Sequence, residues 1–124
     1  MTMKLYMHPV SNASRPVLLF IAEQKIPVET QVVDLMKGEH YSDWYTAINP
    51  SRQVPTLDDD GFILTECSAI LKYLASKIDS PTYPTKDLKK RAKVDEMMDW
   101  FNTGFSIPFL DPLVLHEDWA DRPR

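Results

Sequence analysis

The chain is 124 residues long, enough for one compact domain, and its 44% hydrophobic and 26% charged residues are the balance of an ordinary globular protein. Fourteen Lys and Arg against 18 Asp and Glu leave a net charge of −4, and no basic run or basic-aromatic stripe offsets it, which disfavours a nucleic-acid partner. The longest apolar run, residues 17–22, is far too short to span a bilayer, and the lone cysteine, Cys67, allows neither a disulfide framework nor a CxxC pair. With no secretory apolar core after Met1, the expectation is a soluble, cytoplasmic domain without a membrane partner.

Residues 3–7 alternate apolar and polar and contain Tyr6, which predicts a strand. A turn at His8-Pro9-Val10-Ser11-Asn12 leads into a helix over 15–24, with Ser14 as its N-cap and Val17, Phe20 and Ile21 on one face. Pro27 ends it, and 29–34 read as a second strand centred on Val32 and Val33. Residues 37–40 read as a polar loop and 42–48 as a short helical turn, closed by Asn49-Pro50 because a residue before proline avoids helical geometry. Val54-Pro55-Thr56-Leu57 enters a third strand, 58–61 form an acidic turn, and 62–64 return as a hairpin. Thr65 is the expected cap of a helix over 66–77, whose buried stripe is Cys67, Ile70, Leu71, Leu74 and Ile78. Residues 79–85 contain two prolines and read as a linker. A last helix runs from 87 to about 105, with Val94, Met97, Met98, Phe101 and Phe105 on one side.

A parallel βαβ unit followed by an antiparallel hairpin and a covering helix makes an α/β domain with a mixed four-stranded sheet, the thioredoxin-like arrangement. Within it lie four separate motifs: Ser11-Asn12-Ala13-Ser14-Arg15 after the first strand; Asn49-Pro50 ahead of Val54-Pro55; Leu64-Thr65-Glu66-Cys67-Ser68-Ala69-Ile70 at the third helix; and Arg91-Ala92-Lys93-Val94-Asp95 after the linker. No one of them is specific. In this order and spacing they resemble the cytosolic glutathione transferases, nearest the serine-type theta and phi-like groups, over residues 3–105.

The resemblance implies a role for each position. A serine at a strand–helix turn is ordinarily a cap, but at position 11 in this family it donates a hydrogen bond to the glutathione sulfur. Only about 3% of a free thiol of pKa ~8.5 is thiolate at pH 7, and a hydroxyl donor beside a helix N-terminus favours the charged form. Ser11 is thus the expected catalytic residue, a thiolate stabiliser rather than a nucleophile. Ser14 is the alternative hydroxyl, and Arg15 either adds positive potential or forms a surface ion pair. Pro55 is expected to be cis, leaving the backbone of Val54 open to pair with the cysteinyl backbone of glutathione. Glu66 matches the acidic residue that holds the γ-glutamyl amino group, and the N–H of Cys67 matches a donor to its carboxylate. Cys67 departs from the usual serine there and otherwise reads as a small buried apolar residue. His40 and Gln53 match positions at the glycyl end, while Tyr41 replaces a frequent lysine. His8 and His116 have no partner motif, so no metal is implied.

These matches imply glutathione as co-substrate, a small hydrophobic electrophile as second substrate and a homodimer that covers the exposed Met and Phe stripes. The implied division is a glutathione-binding domain over 1–78, a linker over 79–85 and the start of an all-helical domain over 86–124. Family chains are nearly twice this long, and residues 106–124 hold three prolines and no helical period, so the helical domain reads as truncated, frame-shifted or naturally short. Two functions stay open: a transferase activating the thiol of glutathione, or a non-catalytic glutathione-binding or dimerisation module. A glutathione-dependent disulfide reductase is weaker, because position 11 carries no cysteine.

Overall fold

The computed structural model describes residues 2–102, and the chain divides into two compact units, Met1–Lys77 and Ile78–Arg124. In the first unit, β1 (Met3–Met7) is buried at every position except Lys4, which is half-buried. The reason is its place in the sheet, whose order is β2-β1-β3-β4: a central strand covered on both faces does not keep a polar side. β2 (Val28–Val32) pairs parallel to β1, and β3 (Thr56–Asp59) and β4 (Phe62–Thr65) follow antiparallel. The thioredoxin-like mixed sheet expected from the strand pattern is therefore present. Val32, expected at the centre of β2, is exposed at the edge, whereas Val33 just beyond it is buried and donates its N–H to the Met7 carbonyl at 2.8 Å.

Alternation of side chains sorts the core onto two faces. Leu5 and Leu57, opposite each other in β1 and β3, pack with Val17 and Ile21 of α1 (Ser14–Gln24) and with Ile70 and Leu74 of α3 (Cys67–Lys77). On the other face Tyr6, Val33, Tyr45 and Val54 form a second cluster, Tyr45 coming from α2 (Asp43–Ile48). Between β2 and α2 the expected loop is two single helical turns, Leu35–Lys37 and Glu39–Tyr41. Asp34 caps the first, its Oδ1 accepting from the N–H groups of Met36 and Lys37.

One expected cap and one expected core residue fall elsewhere. Thr65 ends β4 rather than capping α3, which starts at Cys67 after Glu66 in a left-handed conformation (φ 75°). Ile78, expected on the buried stripe, is exposed, because α3 stops at Lys77 and Asp79 takes a positive φ. The far end of α3 is tied to the hairpin by Asp59, which is buried and accepts hydrogen bonds from Lys77 Nζ and Tyr73 Oη. Those two donors, Lys77 first, hold the Asp59 carboxyl below the ordinary carboxylate range.

In the second unit Asp87 caps α4 (Leu88–Asp99), its Oδ1 accepting from the Lys90 N–H at 3.1 Å. Tyr83 is buried and donates from Oη to Asp95 at 2.9 Å while accepting from Arg91 Nε at 3.2 Å. No residue of α4 is fully buried: of its expected apolar stripe Val94 and Met98 are half-buried and Met97 is exposed, as is Phe101 just beyond the helix; Phe105 and His116 lie outside the described residues. Among the described residues no helix is long and apolar enough to cross a membrane.

Candidate functional site

Strand polarity alone gathers the singled-out residues at one end of the sheet. β1 finishes at Met7, opposite Val32 at the finish of parallel β2; antiparallel β3 begins there, with Thr56 opposite Tyr6. β4 ends there too, with Thr65 opposite Thr56. Four connections therefore open on the same edge: residues 8–13 with Ser11, residues 33–42 with His40, residues 49–55 with Gln53, Val54 and Pro55, and Glu66 leading to Cys67. Thr65, opposite Thr56, is the last paired residue of β4, so Glu66 follows at the end of the sheet where Pro55 precedes β3.

The turn after β1 is closed by its own groups. Val10 donates its N–H to His8 Nδ1 at 3.1 Å, and Ser11 donates its N–H to the His8 carbonyl at 3.0 Å. Ser11 then leads into α1: its carbonyl accepts from the N–H groups of Ser14 and Arg15, and its Oγ accepts from the Ser14 N–H at 3.1 Å. Ser14 is not the cap. It is the first residue of α1, fully buried, and its Oγ has no hydrogen-bond partner among the described residues. The correction has a backbone cause, since Ala13 is already in helical geometry (φ −79°, ψ −29°) and the cap function moves back to Ser11. Half-buried Ser11 spends one lone pair on the helix and keeps its O–H proton to donate. Arg15 is exposed and forms no ion pair among the described residues.

The Val54–Pro55 peptide is cis, as the resemblance implied. The loop leading to it is held by a buried polar circuit that sequence reasoning missed. The Gln53 carbonyl accepts from Tyr45 Oη and from Asn49 Nδ2, the latter at 3.0 Å. Asn49 Nδ2 also donates to Thr56 Oγ1 at 3.0 Å, Thr56 Oγ1 lies 2.8 Å from Tyr45 Oη, and Asn49 Oδ1 accepts from the Ser51 N–H at 2.9 Å. All three side chains are buried. The available signal was Asn49 itself, a polar residue that does more than end a helix before proline. Its partners come from a helix and a strand that no local pattern connects.

At Glu66 the chain turns into α3, whose first backbone bond runs from the Ile70 N–H to the Glu66 carbonyl at 2.9 Å. The N–H groups of Cys67, Ser68 and Ala69 thus belong to the first helical turn, where intrahelical acceptors are lacking. Cys67 packs against the apolar core on its inner side. Burial, and after it the Glu66 charge, push its thiol above the ordinary value, so it stays protonated at neutral pH. The apolar reading of Cys67 therefore holds alongside any use of its N–H.

His40 is half-buried with Nδ1 enclosed and unpartnered among the described residues, and its ring lies 4.1 Å from that of Tyr41. Over the Tyr41 ring, 5.7 Å from its centre, sits the guanidinium of Arg52. The Gln53 side chain is exposed beside it in sequence. Among the described residues no group of three or more His, Cys, Asp or Glu converges.

Residues 1–76 match the family described as Glutathione S-transferase, N-terminal domain, to which the chain belongs. It is similar to human glutathione S-transferase theta-1, 43% identical over 104 residues that make up 83% of this chain and 43% of that one. Human glutathione S-transferase theta-2B is 45% identical over 137 residues, 100% of this chain and 56% of that one. Among solved structures, human glutathione transferase theta-2 in complex with glutathione and an unknown ligand has a TM-score of 0.75 at 42% identity, covering 81% of this chain and 42% of that one. A delta-class glutathione transferase from Nilaparvata lugens has a TM-score of 0.81 at 35% identity, covering 98% and 57%. The chain thus spans less than half the length of the theta-1 relative.

Proposed function

We propose that this edge of the sheet binds glutathione and raises the thiolate fraction of its sulfur. The tripeptide's cysteinyl backbone pairs with Val54 next to cis-Pro55, its γ-glutamyl end meets Glu66 and the N–H of Cys67, and its glycyl end points toward His40 and Gln53. The observation that carries this reading is Ser11: its oxygen accepts from a helix N–H at 3.1 Å, so its own proton is free to donate. A sulfur facing Ser11 also faces the positive end of α1, and both effects favour the charged form. The thiol proton leaves to water. The thiolate then attacks a small hydrophobic electrophile, forming the C–S bond as a group such as halide departs with its electron pair. Residues 1–78 would serve as the binding domain, 79–85 as a linker and 86–124 as the opening of a helical domain. The functional unit would be a homodimer, an assignment that a clean monomer by light scattering at high concentration would contradict.

The test is a titration of thiolate absorbance in the glutathione complex. Ser11→Ala removes one donor to a charged acceptor, about 1.5–3 kcal/mol, which raises the bound thiol pKa by roughly one to two units. Affinity changes far less, because the backbone and both ends of the tripeptide are held elsewhere. If Ser14→Ala moves the titration and Ser11→Ala does not, the assignment fails. Retention on immobilised glutathione without conjugation of an aromatic halide would instead favour a non-catalytic glutathione-binding module.

A further inference from the structure

Whole-chain composition averages away a local feature of the second unit. Residues 86–93 hold four lysines, one arginine and a single aspartate, a net charge of +4 inside a chain whose total is −4. The sequence expectation of no basic run therefore fails at the start of α4. We infer that this lysine surface is a weak, reversible docking site for an anionic lipid bilayer, independent of the proposed glutathione site.

Three observations carry it. First, the lysines are outward and unspent. Lys86, Lys89, Lys90 and Lys93 are all exposed, and among the described residues the first three have no ion-pair partner, while Lys93 pairs with Glu96 at 3.1 Å. Arg91 differs: it is half-buried, bonds through Nε to Tyr83 Oη, and its guanidinium lies 4.8 Å from the centre of that ring, so internal packing accounts for it. The half-buried positions Arg91, Val94, Asp95 and Met98 mark the packed face of α4; Lys89 and Lys93 fall opposite it, with Lys90 and Met97 beside them.

Second, the placement is unfavourable for the helix itself. The first turn of α4 contains no acidic residue, and the Asp87 carboxylate is used on the Lys90 N–H. Cations at the positive end of a helix dipole are repelled, as are Lys89 and Lys93 one turn apart. An external anionic surface relieves both. Third, apolar side chains stand beside the cations: Leu88 is 77% exposed and Met97 55%. A lipid interface accepts both kinds, since lysine stems lie along the acyl boundary with their ammonium groups among the headgroups. Lysine is a point charge without the fork that grips one phosphate, which suits a diffuse anionic surface better than a shaped groove. The expectation of no membrane partner rested on the lack of an apolar span, and adsorption to a surface needs none.

The experiment is co-sedimentation of the full chain with vesicles of phosphatidylcholine alone and of phosphatidylcholine mixed with phosphatidylserine. The chain should pellet with the mixed vesicles and not with the neutral ones, and binding should fade as salt rises through about 0.15 M. Each lysine near an anionic surface contributes roughly fivefold, so Lys89→Gln combined with Lys90→Gln should weaken binding about twenty-five-fold. The matched pair Lys25→Gln with Lys37→Gln, exposed lysines of the first unit, should change it by less than about threefold. Leu88→Ser should weaken binding several-fold and leave its salt dependence unchanged. Because glutamine relieves repulsion at the helix start, far-UV circular dichroism should show the Lys89 and Lys90 variant fully folded. Equal binding to the two vesicle types, binding to neither, or equal losses in the two lysine pairs would overturn the inference. So would tighter binding to duplex DNA or to polyglutamate at the same salt, which would assign these lysines to a nucleic acid or an acidic protein instead.

Discussion

Replacing Asn49 by aspartate removes two hydrogens from the circuit that holds the loop before Val54, and its cost reads out whether that circuit works through its donors or only through its shape. Asn49 Nδ2 donates to the Gln53 carbonyl and to Thr56 Oγ1, each at 3.0 Å, and its Oδ1 accepts from the Ser51 N–H at 2.9 Å. With Thr56 donating to Tyr45 and Tyr45 donating to the Gln53 carbonyl, every hydrogen is used once and the circuit closes. Asn49→Asp keeps the acceptor for Ser51 and almost the same volume, but sets a carboxylate, 2% exposed, against the Gln53 carbonyl and the Thr56 hydroxyl oxygen. An uncompensated buried charge costs about 3–5 kcal/mol. Asn49→Ala deletes two buried donor bonds at about 1 kcal/mol each and leaves a small void, about 2–4 kcal/mol in all. Tyr45→Phe loses one hydroxyl, but the Gln53 carbonyl keeps Asn49, so about 1–2 kcal/mol is expected. Urea unfolding followed by tryptophan fluorescence should rank the losses Asp, then Ala, then Phe. An Asn49→Asp variant within about 0.5 kcal/mol of the unmodified chain would show that shape, not donation, holds the loop, and would refute the circuit.

Ser14→Ala should raise stability by up to about 1 kcal/mol in the same unfolding assay, because it removes a fully buried, unpartnered hydroxyl and installs a better helix former; a loss of more than about 0.5 kcal/mol would contradict this. The Asp59 anchor sets an acid limb. Its folded pKa is lowered, so its contribution is complete above the unfolded value of about 3.9 and disappears as pH falls below that through the folded value. Asp59→Asn should therefore be less stable at pH 7 and should lose less stability than the unmodified chain between about pH 5 and pH 3. Equal losses in the two proteins over that interval would rule the anchor out. Lys77 and Tyr73 are shifted upward by the same carboxylate, so their share persists until pH rises above about 10.

What could be read from sequence divides by the range of the cause. The strands, the hairpin and the two faces of the core follow from alternation and helical period, which are local, and strand polarity then puts the four loops on one edge whatever the loop details. The site's backbone was legible for that reason, down to Val54–Pro55. The caps were not, because capping depends on dihedral angles a residue or two away. Ser14 carries the right side chain, yet with Ala13 already helical the side-chain bond that caps the first turn comes from Ser11, and left-handed Glu66 moves the start of α3 past Thr65.

That shift changes the argument for Ser11. The sequence places the cap at Ser14 and, through the family resemblance, the thiolate-stabilising hydroxyl at Ser11, as two separate duties. In the structure Ser11 is itself the cap, so the ordinary structural reading of this serine is satisfied. The functional reading gains a different footing. An oxygen that accepts from a helix N–H is polarised toward donating, because hydrogen bonds in a chain strengthen one another. The bond that holds Ser11 Oγ at the start of α1 leaves its proton available to donate. One side chain can then end a turn, start a helix and serve an anion at the same edge. The same logic explains why the Asn49 circuit escaped the sequence: it is defined by partners on other elements, Tyr45 and Thr56 around the Gln53 carbonyl. Chemistry of this kind is set by where loops meet, and only the fold brings them together.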